Sequence, residues 1–129
     1  MRKLALLVLI VITFTLIFSA CGSQKAPAAS AVESYLNALI SKDATRVSNL
    51  SCKNWQEQAS LELESFQAVT AQLKDLNCTA GNSDGAFTLV TCQGKIVASY
   101  NGENQEIDLV GRVYQVGQEG GEWRVCGYK

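Results

Sequence analysis

Hydrophobic and polar positions fall into three regimes along this chain. From Leu4 to Ala20 the residues are apolar apart from Thr13, Thr15 and Ser19, with no charge and no amide. A second regime begins near Ala31. There Val32, Leu36, Leu39 and Ile40 recur at helical spacing with Tyr35 on the edge of the stripe, which predicts a helix over 31–41. Ser30 followed by Glu33 has the form of a capping box for its start. Asp43 suits the N-cap of a second, short helix burying Val47 and Leu50, and Cys52 falls in the break after it. Trp55, Ala59, Leu63, Phe66 and Val69 then mark a third helix of about four turns. From about Leu73 the period changes to two, and turn residues punctuate the chain at Ser83-Asp84-Gly85, Asn101-Gly102 and Gly120-Gly121.

These elements predict an α+β domain, with N-terminal helices packed on a curved four-stranded antiparallel sheet. A two-residue turn at Asn101-Gly102 sets Ile96 opposite Ile107, Gly94 opposite Leu109 and Cys92 opposite Gly111. The same turn at Gly120-Gly121 sets Gln115 opposite Cys126. Cys92, Ile96, Ala98, Ile107, Leu109, Val113 and Cys126 then share an apolar face that should meet the helices. The other face carries Thr91, Gln93, Lys95, Ser99 and Asp108, but also Val110, Tyr114, Val116, Trp123 and Val125. A one-sided sheet should be more polar there. Either curvature folds part of that face over, the expected case, or the face meets another chain.

Cysteine usage fits an exported domain. Beyond Cys21 there are Cys52, Cys78, Cys92 and Cys126, without a C-x-x-C pair. An even number in about 100 residues reads as two disulfides, the alternative being buried free thiols. A three-residue loop at Asp84-Gly85-Ala86 places Cys78 opposite Cys92, and a bond between them is then easy to close. That leaves Cys52 with Cys126, joining the helical half to the last strand.

The first twenty residues read as an address. Met1-Arg2-Lys3 forms a short basic start, Leu4 to Phe18 an apolar run, and Phe18-Ser19-Ala20-Cys21 a small-residue stop ending in cysteine. This layout resembles the signal peptide and lipobox of bacterial lipoproteins, with Phe18 in place of the usual Leu. The resemblance implies cleavage before Cys21, acylation of its sulfur and amine, and a membrane-anchored domain facing the periplasm or the exterior. An uncleaved anchor would prefer about 20 apolar residues, and an ordinary secretory signal would leave the cysteine to chance. Residues 21–30, small and polar with the chain's one proline, Pro27, are expected to be a flexible tether. Residues 31–129 form the single domain.

Composition removes several kinds of chemistry. Residues 1–20 take Arg2 and Lys3 with them, leaving nine bases against twelve acids. That balance argues against a nucleic-acid partner. The absence of histidine excludes an imidazole base and a His-bound metal. No phosphate loop or nucleophile elbow occurs, and no cofactor, catalytic residue or metal ligand is assigned. Tyr35 and Tyr100 are the candidate pocket residues, weighed against a role as core tyrosines with one wet end. Asp108 and Arg112 could share one side of a strand as a polar pair. Glu57, Glu62 and Glu64 read as the solvated face of the third helix.

The element order, the run Gly120-Gly121-Glu122-Trp123-Arg124-Val125, and Ala31 to Asn49 with Lys42-Asp43-Ala44 between helices resemble the nuclear transport factor 2-like domains. The resemblance implies a cone in which the sheet wraps a long helix and leaves a pocket. Members of that family include isomerases, dehydratases, cyclases and exported lipoproteins. Its enzymes typically use an Asp–His pair that this chain lacks, so no catalytic role is carried over. Three function classes follow: a tethered non-catalytic binding or accessory module for a small apolar ligand or an envelope partner, a structural component of an envelope complex, and an isomerase- or cyclase-type enzyme.

Overall fold

The structure, a computed structural model, describes residues 24–129. The expected signal peptide and lipid attachment site Cys21 lie outside the described residues. Helix α1 spans Pro27–Ile40, α2 Ala44–Asn49 and α3 Gln56–Ser65. The strands are β1 Thr70–Asp84, β2 Phe87–Tyr100, β3 Glu103–Asp108, β4 Val113–Glu119 and β5 Glu122–Tyr128. They form one antiparallel sheet in the order β1-β2-β4-β5, with β3 also paired to β2. No described helix is long and apolar enough to cross a membrane.

Helix α1 begins four residues before the expected start. Pro27 sits in its first turn, where its fixed φ and missing N–H cost nothing, and Ala28 and Ala29 are buried. Residues 27–30, read from the sequence as part of the tether, are therefore helix. Ser30 is not a cap: its N–H bonds to the Ala26 carbonyl at 3.1 Å inside the first turn. Val32, Tyr35, Leu36 and Leu39 form the predicted stripe and are fully buried. Asp43 does cap α2, its carboxylate accepting from the Arg46 N–H at 2.9 Å. Helix α3 is shorter than expected. After it, Phe66, Gln67 and Val69 donate to the carbonyls of Leu63, Glu64 and Phe66, three residues back. The two final three-residue steps of the apolar pattern thus belong to tighter turns, not to a further α-helical turn.

The sheet has five strands because the expected third strand is broken. Ile96 faces Ile107 as the Asn101-Gly102 turn requires, with both turn residues at positive φ. Thr91, however, faces Val113. Five steps along β2, from Ile96 back to Thr91, are therefore answered by six from Ile107 to Val113. The extra residue lies in the link 109–112, where Gly111 has φ 95°. Because side chains alternate with period two, one extra residue exchanges the faces beyond it. Tyr114 and Val116 turn inward and are fully buried, as is Val125; Val113 is half-buried. This face exchange accounts for the apolar residues on the supposed outer face, and Val110 stays exposed.

Smaller register differences follow the same logic. Val116 faces Val125, as a two-residue Gly120-Gly121 turn dictates, but Gln115 faces Gly127 instead of Cys126 because Cys126 lies at a bulge. Cys78 faces Cys92. The loop beyond them has two residues, since Asp84 pairs with Phe87, and a shift between Ala80 and Ser83 restores the register. Disulfides join Cys78 to Cys92 and Cys52 to Cys126. The outer edge of β5 is covered by 50–52, with Val125 and Cys52 each donating across at 2.8 Å, which closes an edge otherwise open to another chain.

Candidate functional site

The chemistry of this domain gathers where α1, α3, β4 and β5 converge. Tyr35 from α1 donates its hydroxyl to Glu62 Oε2 at 2.7 Å. Arg112, from the link before β4, reaches Glu62 Oε1 at 3.5 Å and stacks over the Tyr128 ring at 4.9 Å. Tyr128 in turn lies 5.5 Å from Tyr114 and 5.6 Å, edge to face, from Trp55, measured between ring centres. The extra residue in 109–112 carries Arg112 and Tyr114 to this side. Without it Tyr114 would point out and the cluster would not form.

Burial sets the electrostatics. Desolvation raises Glu62 above the ordinary glutamate range, while the Tyr35 hydroxyl and the Arg112 guanidinium pull it back. Burial, then the Glu62 charge, pushes Tyr35 well above the usual phenol value. Burial takes Tyr114 up to about 12 against the pull of Arg112. Each phenol is therefore a hydrogen-bond donor at neutral pH. Three buried side-chain donors stand without partners among the described residues: the Tyr114 hydroxyl and Trp55 Nε1 in this cluster, and Arg124 Nε on β5. A buried donor left unpaired costs about 1–3 kcal/mol.

The structure separates the two tyrosines expected to share a pocket. Tyr35 is fully buried in the cluster, whereas Tyr100 is 59% exposed and borders a shallow depression with Val69, Glu103 and Asn104 beside the β2–β3 turn. Asp108 and Arg112 do not pair, because the link turns Arg112 to Glu62 and leaves Asp108 on the outer face. There Asp108 borders an open depression of about 620 Å³ with Lys95 and Val110. A second, of about 660 Å³, lies between α2 and the β4–β5 turn. Glu57 and Glu64 are exposed, but Glu62 is not on a solvated face. The spacing held the clue: residues 55, 59, 62 and 66 follow one helical stripe, and Glu62 is the charged member of it.

No protein-family model matches the chain, and no curated protein does. Solved structures do resemble it. A variant named Rd1NTF2_05 superposes with TM-score 0.53 at 13% identity, covering 76% of this chain and 90% of that one. A protein from Shewanella frigidimarina, described as a candidate ketosteroid isomerase, gives 0.56 at 11% identity over 80% and 93%. A SEC-C motif protein from Rhodopseudomonas palustris gives 0.53 at 11% over 81% and 80%. The helices, the bent five-stranded sheet and these superpositions agree: the described domain has the nuclear transport factor 2-like fold.

Proposed function

We propose that this chain is an exported lipoprotein, anchored to a cell membrane or outer membrane through acyl chains on Cys21. On this reading its domain is a non-catalytic binding module for a small, largely apolar molecule carrying a hydrogen-bond acceptor. The observation that carries the binding role is the pair of unpartnered donors, Tyr114 and Trp55, beside the Glu62–Arg112 pair. Aromatic rings of Trp55, Tyr114 and Tyr128 would take the apolar body, and the two donors its oxygen. The two disulfides support an oxidising compartment, and the Phe18-to-Cys21 pattern supports the anchor. Solvent extraction of folded protein purified from its own membranes, followed by mass spectrometry, is expected to yield a small molecule. Extracts of Tyr114→Phe should hold several-fold less. Extracts containing phospholipid alone would overturn the binding role.

The raised Glu62 favours a second reading, an isomerase- or cyclase-type enzyme using that carboxyl as its proton carrier. Against it, the bond from Tyr35 and the pair with Arg112 already occupy both carboxylate oxygens. Envelope assembly through an apolar outer sheet face loses its main support, because Tyr114, Val116 and Val125 are buried.

A further inference from the structure

The way the chain enters the domain fixes which side would face the bilayer. Lys25 bonds to Asn77 Oδ1 at 3.1 Å and pairs with Glu33. The Glu33 carboxylate also accepts from the Cys78 N–H at 2.8 Å, so Glu33 covers part of the open edge of β1. Pro27, Ala28 and Ala29 continue directly into α1. The entering segment is thus pinned from Lys25 onward, beside Asn77, Thr79 and Ala80, with which Gln24 and Lys25 border a shallow depression.

Three Cα steps separate Cys21 from Gln24, a reach of about 11 Å at most. A spacer running to residue 30 would have reached about 35 Å. A domain of this size has a radius of gyration of about 13 Å. The shorter leash cannot let the domain turn over; the longer one could. We infer that the acylated protein rests with the middle of β1 and the start of α1 against the lipid headgroups, the surface beside Gln24, Lys25, Asn77 and Thr79 being its membrane-facing side. The inference rests on the lipoprotein reading and extends it from attachment to orientation. Tyr114 lies two strands from β1 and Tyr128 three, about 10 and 14 Å across the ladder. The strands that carry Tyr114 and Tyr128 therefore lie away from the point of attachment.

The test uses the lipidated protein purified from its own membranes and placed in phosphatidylcholine vesicles with a headgroup nitroxide. A fluorophore is attached through a ketone-bearing residue at Thr79 or, in a second preparation, at Glu122 on β5; both positions are exposed. Quenching at position 79 is expected to be at least twofold stronger than at 122. Inserting twenty Gly/Ser residues between Ser23 and Gln24 should bring the two together. Equal quenching in a native chain that floats with the vesicles overturns the orientation and leaves the anchor standing. A chain that does not float overturns the anchor, and the orientation with it.

Discussion

Two tyrosines in one core, each fully buried, should respond to loss of the hydroxyl with opposite signs. Tyr35→Phe removes the donor that holds Glu62 at 2.7 Å. A hydrogen bond to a charged group contributes about 1.5–3 kcal/mol, which in a domain of this size corresponds to about 6–20 °C in Tm. Tyr114→Phe removes a hydroxyl without a partner. It relieves a desolvation cost of about 1–3 kcal/mol while keeping the ring against Tyr128. The two rings bury similar apolar area, so the hydrophobic contributions cancel in the comparison. The assay is urea unfolding at pH 7 on oxidised protein, refolded once to strip small molecules, with equal m values as the check on two-state behaviour. Tyr35→Phe is expected to lower the midpoint and Tyr114→Phe to leave it unchanged or raise it. Equal losses in both variants would refute the assignment of one hydroxyl as bonded and the other as free.

Glu62 makes stability depend on pH. Its folded value is raised above the ordinary 4.5, so its contribution is fully present below that value and is lost as pH rises through the folded value. Across pH 4–8 the wild-type urea midpoint should fall relative to that of Glu62→Gln, and parallel curves would contradict the burial argument. The disulfides enclose loops of very different length, with sequence separations of 74 and 14. In the chain-entropy account, replacing both Cys52 and Cys126 by Ala should cost about 4.5 kcal/mol, against about 3 kcal/mol for Cys78 and Cys92. Non-reducing urea titrations that reverse this order would contradict it. Gly94 has φ +97°, and an added Cβ would lie 2.4 Å from the Lys74 carbonyl oxygen. Gly94 lies opposite the register shift of β1 between Lys74 and Asn77, so Gly94→Ala should cost about 3 kcal/mol or more, read as a drop in thermal midpoint, and a neutral result would contradict the close approach of the two strands there.

Periodicity carried the fold as far as local rules reach. The α1 stripe, the Asp43 cap and the Ile96–Ile107 register each follow from residues close in sequence or from a turn with demanding φ values. The failures have one kind of cause. Nothing in 109–112 announces an extra residue, because Gly111 is compatible with either register, and the choice rests on burying Tyr114 and Val116 against the helices. Glu62 was misread because three acids within eight residues look like a solvated face, although its position belongs to the apolar stripe. The Tyr35–Glu62–Arg112 cluster joins three segments far apart in sequence, so no local pattern could assemble it. Tyr100 was misplaced because a tyrosine beside a turn says nothing about which way a strand end leans.

Native mass spectrometry of the intact protein taken from its own membranes tests the proposed role most directly, since one spectrum reports cleavage, acylation and bound ligand. The account predicts a chain beginning at Cys21, heavier by two or three acyl groups with their glycerol, and carrying a small molecule that is lost in Tyr114→Phe. A chain that keeps residues 1–20, or an acylated chain with no adduct that Tyr114→Phe removes, would contradict it.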